Sequence, residues 1–503
     1  MKIDVNASPS GLKKRLDGFW QLAAAKALAL EREYDPSAGS PVYTVEGKYT
    51  TRGWTEWTHG FQYGIPLLVF SATGDPSMLR MGRENTLQKM APHLTHFGVH
   101  DHGFNNLSTY GNLLRCSGKG LYEAAEEEKE LYRLALKVSG AVQAKRWTQT
   151  SDGGGFIHSF NGPHSLFIDT MRTLRILLAA HKLGHRMLEE NDREVDLLER
   201  ALIHGMTTAR YAVYYGKGRD RYDVRGRVAH ESVFNVNDGR YRCPNSQQGY
   251  SGFSTWTRGL AWAMLGFAEL LEFMATLSEG QKGQIRPGAP QTDAPQTGMP
   301  QTGIPQTGIP QTGIPHPGIP HPGPDGPFDA DLLQQAVKSF LEAARATCDY
   351  YLAICAADGI PYWDTGAPDL NRITGYRERP ADPFNRYEPV DSSAAAIGAQ
   401  GLIRLGRHLA ATDPEASRVY ISAGMTILQT LLSDTYLSKA PGHQGILLHS
   451  VYHHPNGWDH IPEGQHVPCG ESSMWGDYHM TELCYLVSRM ADNDYYTFFE
   501  GIQ

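Results

Sequence analysis

The sequence is most constrained by a helical periodicity that recurs along almost its whole length. Apolar residues return every three to four positions in twelve segments, whereas the alternation typical of strands is nearly absent. Two segments open with an Asp-Pro pair, in "DPSMLRMGREN" and "DPEASRVYISAGMTIL", which is a typical helix start. We therefore predict twelve helices, at residues 10–33, 56–72, 76–93, 103–115, 121–145, 164–185, 192–215, 255–276, 329–356, 391–411, 415–434 and 471–490.

Twelve helices that alternate with loops can pair into six helical hairpins. Every second segment is rich in aromatic residues and glycine, and the others are more charged. Closing the hairpins into a ring places the first set inside and the second set outside, which predicts an all-α fold, the (α/α)6 toroid. An open solenoid is the alternative, but the chain has no obvious repeat sequence with capping ends. We expect a single catalytic domain over residues 1–503, because closed architectures can reach this length.

Residues 279–327 depart from the helical pattern. They contain "PQTGIPQTGIPQTGIPHPGIPHPG", which repeats a five-residue Pro-x-x-Gly-apolar unit. Proline at this spacing removes amide donors and forbids a helix, and glycine removes stiffness, so no packed core can form. We predict a disordered surface insertion between two helices; the alternative is a docking arm of polyproline type.

Composition and cysteine usage narrow the classes of protein. The chain has 41% hydrophobic and 20% charged residues, as ordinary globular proteins do. Its net charge of −8 argues against nucleic acid or an anionic membrane as a partner. No apolar run is long enough to span a bilayer, and the N-terminus carries no secretory signal. Six cysteines lie far apart without a C-x-x-C pair, so we expect reduced thiols in a cytoplasmic protein.

Five stretches are unusual for a plain helical protein. Each puts Trp, His, Asp, Arg or Gln at or near a predicted helix start, where an inner ring would collect them at one end. Aromatic faces stack on the apolar face of a pyranose, and planar polar groups bind its hydroxyls. A sugar-binding pocket is therefore predicted from "WTEWTHGF" (54–61), "HDHGF" (100–104), "FIDTM" (167–171), "QGYSGFSTWTRGLAW" (248–262) and "DSSAAAIGAQGL" (391–402).

Several motifs resemble family 88 of the glycoside hydrolases, the unsaturated glucuronyl hydrolases. The motifs occur in the family's order and cover nearly the whole chain except the insertion and the extreme N-terminus. The resemblance implies hydrolysis of an oligosaccharide that ends in an unsaturated uronic acid, without a metal or a cofactor. The motifs are "QGYSGFSTWTRGLAW", "PYWDT" (361–365), "DSSAAAI" (391–397), "LLHS" (447–450) and "WGDYH" (475–479).

The resemblance also implies the catalytic residues. Asp169 in "FIDTM" matches the family's general acid/base, and Asp101 in "HDHGF" matches a second essential carboxylate. Two carboxyl groups in one pocket push their pKa values apart and leave one protonated near neutral pH, which suits acid/base chemistry. Taken alone, Asp169 fits an ordinary N-cap or first-turn acid better than a catalytic role, and the rest of the motif pattern reverses this preference.

The remaining pocket residues are carried over one at a time from the family's motifs. Trp57 would be an aromatic platform, and His230 in "AHESVF" stands eighteen residues before Gln248. Arg258 would bind the substrate carboxylate and shares a helix face with the residue four positions later. Core packing is the alternative for Trp256. The predicted substrate-binding residues are Trp57, His100, His230, Gln248, Trp256, Arg258, Trp262 and Tyr478.

The chain departs from the family's usual pattern at five positions. Gly252 and Phe253 stand where two acids are usual before "STW". Asn105 and Asn106 replace apolar or aromatic residues, and Arg172 follows "DTM". We expect these residues near the rim of the site, where they would alter the preference for the leaving sugar and not the reaction.

The reaction that the resemblance implies begins with protonation of the enol ether at carbon 4. Water then adds to carbon 5, and the resulting hemiketal opens and expels the neighbouring sugar. The anomeric carbon is not attacked, so the carboxyl-separation rule for glycosidases does not apply. The alternatives are an unsaturated rhamnogalacturonyl hydrolase, a sugar 2-epimerase that uses His100 and His230 as its proton-exchanging pair, and a non-catalytic helical scaffold.

Overall fold

The computed structural model describes residues 1–53, 56–277 and 330–503, and the predicted insertion at 279–327 lies outside them. Twelve main helices in the described part alternate between an outer and an inner ring. The outer helices are α1 (Pro9–Glu33), α3 (Pro76–Lys89), α5 (Glu126–Lys145), α7 (Leu197–Tyr211), α9 (Ala330–Ile354) and α11 (Pro414–Leu431). The inner helices are α2 (His59–Thr73), α4 (His102–Asn106, a π-helical turn Leu107–Gly111, and Asn112–Gly118), α6 (Thr170–Thr173 with Arg175–Lys182), α8 (Thr257–Ala275), α10 (Ser392–Leu409) and α12 (Met474–Ala491).

The inner helices close into a ring. Each of them contacts the next inner helix along the chain, and α12 packs back against α2. The outer helices cover this ring, with α9 on α8, α11 on α10 and α1 on both α2 and α12. The contact between α12 and α2 joins the two ends of the series, which an open solenoid would leave apart. The predicted (α/α)6 toroid is therefore confirmed.

Side-chain caps explain where several helices begin. The carboxylate of Asp75 accepts a hydrogen bond from the backbone N–H of Ser77 at 2.8 Å, and that of Asp413 accepts one from Ala416 at 3.2 Å. Both predicted Asp-Pro starts are thus confirmed. Among the described residues, no helix is long and apolar enough to cross a membrane.

Short strands lie in the loops between the helices. One of them corrects the predicted helix at 164–185, because residues 165–167 are extended and the helix begins only at Thr170. Strands of three to five residues leave no periodic signal in a sequence. They are β1 (Tyr43–Val45), β2 (Lys48–Thr50), β3 (Trp147–Gln149), β4 (Gly155–Ile157), β5 (Ser165–Phe167), β6 (Arg186–Leu188), β7 (Glu194–Asp196), β8 (Glu231–Phe234) and β9 (Tyr241–Asn245).

The strands form small antiparallel sheets. Two-stranded hairpins join β1 to β2, β3 to β4 and β6 to β7. The remaining sheet has the order β5-β8-β9, with Phe167 opposite Glu231 and Glu231 opposite Asn245. This sheet brings together chain segments that precede α6 and α8, and it decides where the site residues lie.

A network of buried ion pairs fills the axis of the ring. Arg172 on α6 pairs with Glu269 on α8 and with Glu482 on α12. Arg175 also reaches Glu482, at 3.3 Å. The prediction that Arg172 lies near the rim of the site is therefore wrong, since its side chain is fully buried and pairs with carboxylates of two other inner helices. A buried arginine between two carboxylates ties three inner helices together.

We predict that Arg172→Met destabilises the protein strongly. The substitution keeps the volume of the side chain but leaves Glu269 and Glu482 short of a buried positive charge, which typically costs about 3–5 kcal/mol. Chemical denaturation measures the change in the free energy of unfolding.

Lys13→Met is the control, because Lys13 pairs with Asp492 on the surface, where an ion pair is screened by water. That variant should unfold at the wild-type denaturant concentration. Equal midpoints for Arg172→Met and wild type would show that the network does not stabilise the ring.

Candidate active site

The β5-β8 pair places Asp169 beside His230. Asp169 lies two residues after the end of β5, and His230 directly precedes β8. The backbone N–H of Ile168 donates to the carbonyl oxygen of His230 at 3.0 Å, which extends the ladder by one bond. As a result, Oδ2 of Asp169 lies 3.5 Å from Nε2 of His230.

The starts of α4 and α6 approach each other closely, and this brings Asp101 to Asp169. A Cβ atom at Gly103 would lie 2.2 Å from the carbonyl oxygen of Thr173, so only glycine permits this contact. The hydroxyl of Thr173 donates to the carbonyl oxygen of His100 at 2.9 Å. The two predicted catalytic carboxylates therefore lie in one pocket, where the charge of Asp169 raises the pKa of Asp101.

Neither carboxylate acts as a helix cap. Asp101 and Asp169 occupy the position before the first residue of their helices, yet neither side chain accepts a bond from the backbone there. Asp169 is 9% exposed, and its Oδ2 faces Nε2 of His230 instead of the N–H groups of the helix. The capping alternative for Asp169 is therefore not what this structure contains.

Hydrogen bonds fix the tautomer of His230. Its Nδ1 lies 3.0 Å from the backbone nitrogen of Gln247 and 3.4 Å from that of Gln248. Backbone N–H groups can only donate, so Nδ1 accepts and the neutral ring carries its proton on Nε2. That proton faces Asp169. His230 is thus held as a fixed donor to the carboxylate.

The two carboxylates have opposite pKa shifts. Burial, reinforced by the charge of Asp169, raises the pKa of Asp101 to about 7. Burial also raises the pKa of Asp169, but the Nε2–H of His230 that faces it and the charge of Arg258 outweigh burial and hold that pKa below its usual value. Near neutral pH Asp101 is therefore partly protonated, whereas Asp169 carries a negative charge.

His100 is a second buried imidazole in the pocket. Its Nε2 lies 3.8 Å from Oδ1 of Asp101, and neither ring nitrogen has a hydrogen-bond partner. Burial lowers the pKa of His100 to about 3, so the ring is neutral and presents one donor and one acceptor. Among the described residues, no group of three or more His, Cys, Asp or Glu side chains is arranged to hold a metal ion.

Aromatic rings form one wall of the site around Arg258. The guanidinium carbon lies 4.5 Å from the ring centre of Trp256 and 4.7 Å from that of Trp475. Trp57 stacks on Trp475 with ring centres 5.2 Å apart. Trp256 also lies 4.7 Å from the ring of His230, so it belongs to the pocket wall although it is almost fully buried.

The terminal nitrogens of Arg258 are fully engaged by the protein. Nη1 donates to Asp391 at 3.2 Å and to the carbonyl oxygen of Val451. Nη2 donates to Oε1 of Gln248 at 2.7 Å and to the carbonyl oxygen of Tyr452 at 2.9 Å. Four N–H groups thus serve four protein acceptors. Arg258 supplies positive charge to the site and orients Gln248, but the N–H groups on its two terminal nitrogens are not available to a ligand.

Two predicted pocket residues lie behind the first layer of side chains. Trp262 packs one turn below Arg258, against the rings of Phe104 and His479. The predicted approach of Tyr478 to the pocket is corrected, because its hydroxyl accepts from Asn112 at 3.4 Å inside the ring of helices. The residue that the sequence analysis missed is Trp475, one turn earlier in the same "WGDYH" motif.

Asn105 and Asn106 are also buried and do not lie at the rim as predicted. The side chain of Asn105 accepts from the backbone N–H of Gly60 at 2.8 Å and donates to the carbonyl oxygen of Glu56 at 2.9 Å. It therefore holds the turn that carries Trp57 against α4, the helix that Asp101 precedes. Phe253, by contrast, is 47% exposed, as expected for the rim.

Comparisons with known proteins agree in sequence and in fold. No family model matches the chain. It is 25% identical over 489 residues to the unsaturated glucuronyl hydrolase of Bacillus sp. strain GL1, across 95% of this chain and 99% of that protein. It is 22% identical over 466 residues to the unsaturated chondroitin disaccharide hydrolase of Streptococcus pyogenes serotype M1, across 91% and 88%. The crystal structure of the Bacillus sp. GL1 enzyme shares the fold, with a TM-score of 0.64 at 22% identity across 94% and 97%.

We predict that Asp101→Asn makes the protein more stable at pH 8. The pKa of Asp101 is raised in the folded protein, so its ionisation costs stability as the pH rises from about 4 to about 7. Asparagine removes this cost, which amounts to at most about 4 kcal/mol. Denaturation of variant and wild type should show a difference in the free energy of unfolding that grows between pH 3 and pH 8.

Asp152→Asn is the control with the opposite sign. Bonds from Thr150 and Tyr211 and the charge of Arg210 outweigh burial and lower the pKa of Asp152, so its ionised form stabilises the fold. That variant should lose stability relative to wild type as the pH rises. A pH-independent difference for Asp101→Asn would mean that Asp101 titrates normally.

Proposed function

We propose that this chain, which belongs to the unsaturated glucuronyl hydrolase family, removes a 4,5-unsaturated uronic acid from the non-reducing end of oligosaccharides made by polysaccharide lyases. The observation that carries the proposal is the pair of buried carboxylates, in which the pKa of Asp101 is raised to about 7 and that of Asp169, beside His230, is lowered. An acid and a base within one pocket are what hydration of a double bond requires. The whole toroid acts as one catalytic domain.

The first step delivers a proton to carbon 4 of the enol ether. The substrate brings its own carboxylate and displaces water, and both effects raise the proton affinity of Asp169. Asp169 then takes up a proton, with protonated Asp101 beside it as the source, and passes it to carbon 4. The Nε2–H of His230 keeps the Asp169 carboxylate in place during both transfers.

The second step adds water to carbon 5. Asp169 has lost its proton and accepts one from the attacking water, whose oxygen bonds to carbon 5. The product is a hemiketal, which opens to a ketone and leaves a hemiacetal at carbon 1. Collapse of that hemiacetal expels the neighbouring sugar. The proton that Asp169 took from water then returns to Asp101 and restores the starting state. The reaction consumes one water molecule and needs no redox partner.

The geometry of the two histidines argues against a sugar 2-epimerase. Such an enzyme needs two imidazoles that exchange protons with the substrate. His230 is engaged at Nδ1 by backbone N–H groups and faces Asp169 with Nε2, so it has no nitrogen free for that role.

The cytoplasm remains the proposed location of the protein. It is supported by the six cysteines, all of them unpaired and five of them buried, as is usual in a reducing compartment.

We predict that Asp169→Asn lowers turnover of a lyase-made unsaturated disaccharide at least about a hundredfold, with substrate affinity largely kept. Asparagine keeps the shape of the side chain but can neither take up nor deliver the proton. Loss of the ultraviolet absorbance of the enol ether measures the rate. In heavy water, the wild-type product should carry deuterium at carbon 4 and none at carbon 2.

Asp152→Asn again serves as the control, since its carboxylate pairs with Arg210 outside the pocket. It should bleach the disaccharide at the wild-type rate. An Asp169→Asn enzyme with near wild-type turnover would falsify the assignment, as would deuterium at carbon 2.

A further inference from the structure

Residues 451–459 form a loop that is fixed around Arg258, and we name it the Arg258 loop. Arg258 donates to the carbonyl oxygens of Val451 and Tyr452. At the other end of the loop, the carboxylate of Asp459 accepts from the backbone N–H groups of Tyr452 and His453, the latter at 3.0 Å. Both faces of this backbone are held by side chains, so the loop is positioned before any ligand arrives.

The side chain of His453 is buried within this loop. It is 9% exposed, and its ring lies 4.8 Å from the ring of Trp458. The amide nitrogen of Asn456 lies 3.4 Å from Nε2 of His453 and can only donate there. The neutral ring therefore carries its proton on Nδ1, a buried atom without a hydrogen-bond partner.

His453 lies beside the Arg258 wall of the catalytic pocket. It directly follows Tyr452, whose carbonyl oxygen accepts from Nη2 of Arg258 at 2.9 Å, and its own backbone N–H is held by Asp459. Burial, followed by the positive charge of Arg258, lowers the pKa of His453 to about 4. Its neutral ring presents a donor beside a buried guanidinium.

A buried N–H group without an acceptor costs free energy unless a ligand supplies one. The substrate of the proposed function carries a carboxylate on carbon 5, and this anion needs donors where water is displaced. Arg258 supplies positive charge nearby, but its terminal N–H groups are engaged by four protein acceptors. An unpartnered donor next to that charge is suited to an anionic oxygen.

We propose that His453 determines specificity by donating its Nδ1–H to the carboxylate of the unsaturated uronic acid. This inference rests on the proposed function and adds a residue to its site. Arg258 acts from behind, through its charge and by holding the loop. The site should therefore prefer the free acid over a methyl ester, which has the same shape but a weaker acceptor and no charge.

The test compares the unsaturated disaccharide with its methyl ester, by the absorbance assay, in three variants of His453. His453→Phe keeps the stacking on Trp458 and removes the donor. His453→Asn places an amide N–H near the position of Nδ1, whereas His453→Gln places one near Nε2. We expect kcat/KM for the acid to fall at least about tenfold in the Phe and Gln variants, with less than about a threefold change for the ester, and His453→Asn to recover the preference for the acid.

His454→Phe is the matched control from the same loop. The ring of His454 packs edge-on against Trp363, 4.7 Å away, and the variant should leave the ratio of acid to ester unchanged. Thermal unfolding of each variant establishes that it is folded, and His453→Asn tests the donor even where the Phe variant is unstable.

The outcomes separate the two proposals. An active wild type whose preference for the acid survives in the Phe and Gln variants overturns the role of His453 alone. That role is equally overturned if acid and ester lose activity to the same extent, or if the Asn variant behaves like the Gln variant. A wild type that leaves every unsaturated uronide unchanged overturns the proposed function, and the His453 inference falls with it.

Discussion

The site depends on one close backbone contact between the starts of two inner helices. Gly103 on α4 lies against the carbonyl of Thr173 on α6, a distance that no other residue allows. Each helix is preceded by an acid, so this contact turns two separate helix starts into one carboxylate pair. The β5-β8 ladder then adds His230 from the opposite side. Since both elements are backbone contacts, substitutions in the pocket wall can change specificity without moving the acids.

Arg258 has a different role from the one its sequence position indicates. The family resemblance implies that the guanidinium group of Arg258 is free to bind the substrate carboxylate. In the structure, the terminal N–H groups of Arg258 instead donate to Asp391, Gln248 and the loop backbone. Its charge remains effective, because it helps to lower the pKa of Asp169. Recognition of the anion is thereby separated into a fixed charge and a neutral donor, which can differ between related enzymes independently.

The sequence predicted the twelve helices because each is long enough for its apolar period to repeat, and it predicted the carboxylate pair because ordered motifs carried it. The sequence analysis failed where the direction of a side chain on its helix decides whether it lies in the pocket or in the core. Arg172, Asn105 and Tyr478 lie next to motif residues in the sequence, but one turn along an inner helix moves a side chain from the pocket to the core. Trp475 was missed for the same reason. His453 lies in an irregular loop whose shape depends on Arg258, and no sequence period records that contact.

The proton on Asp101 connects the chemistry to the stability of the ring. A carboxyl group whose pKa is raised to about 7 stays partly protonated at neutral pH only because its charged form is costly in the buried pocket. The fold must offset that cost elsewhere. The ion pairs of Arg172 with Glu269 and Glu482 start from the helix that Asp169 precedes and tie it to α8 and α12. Any change that admitted water to Asp101 would lower its pKa towards the ordinary value, because burial is the main cause of the shift, and would reduce the supply of the proton for the first step.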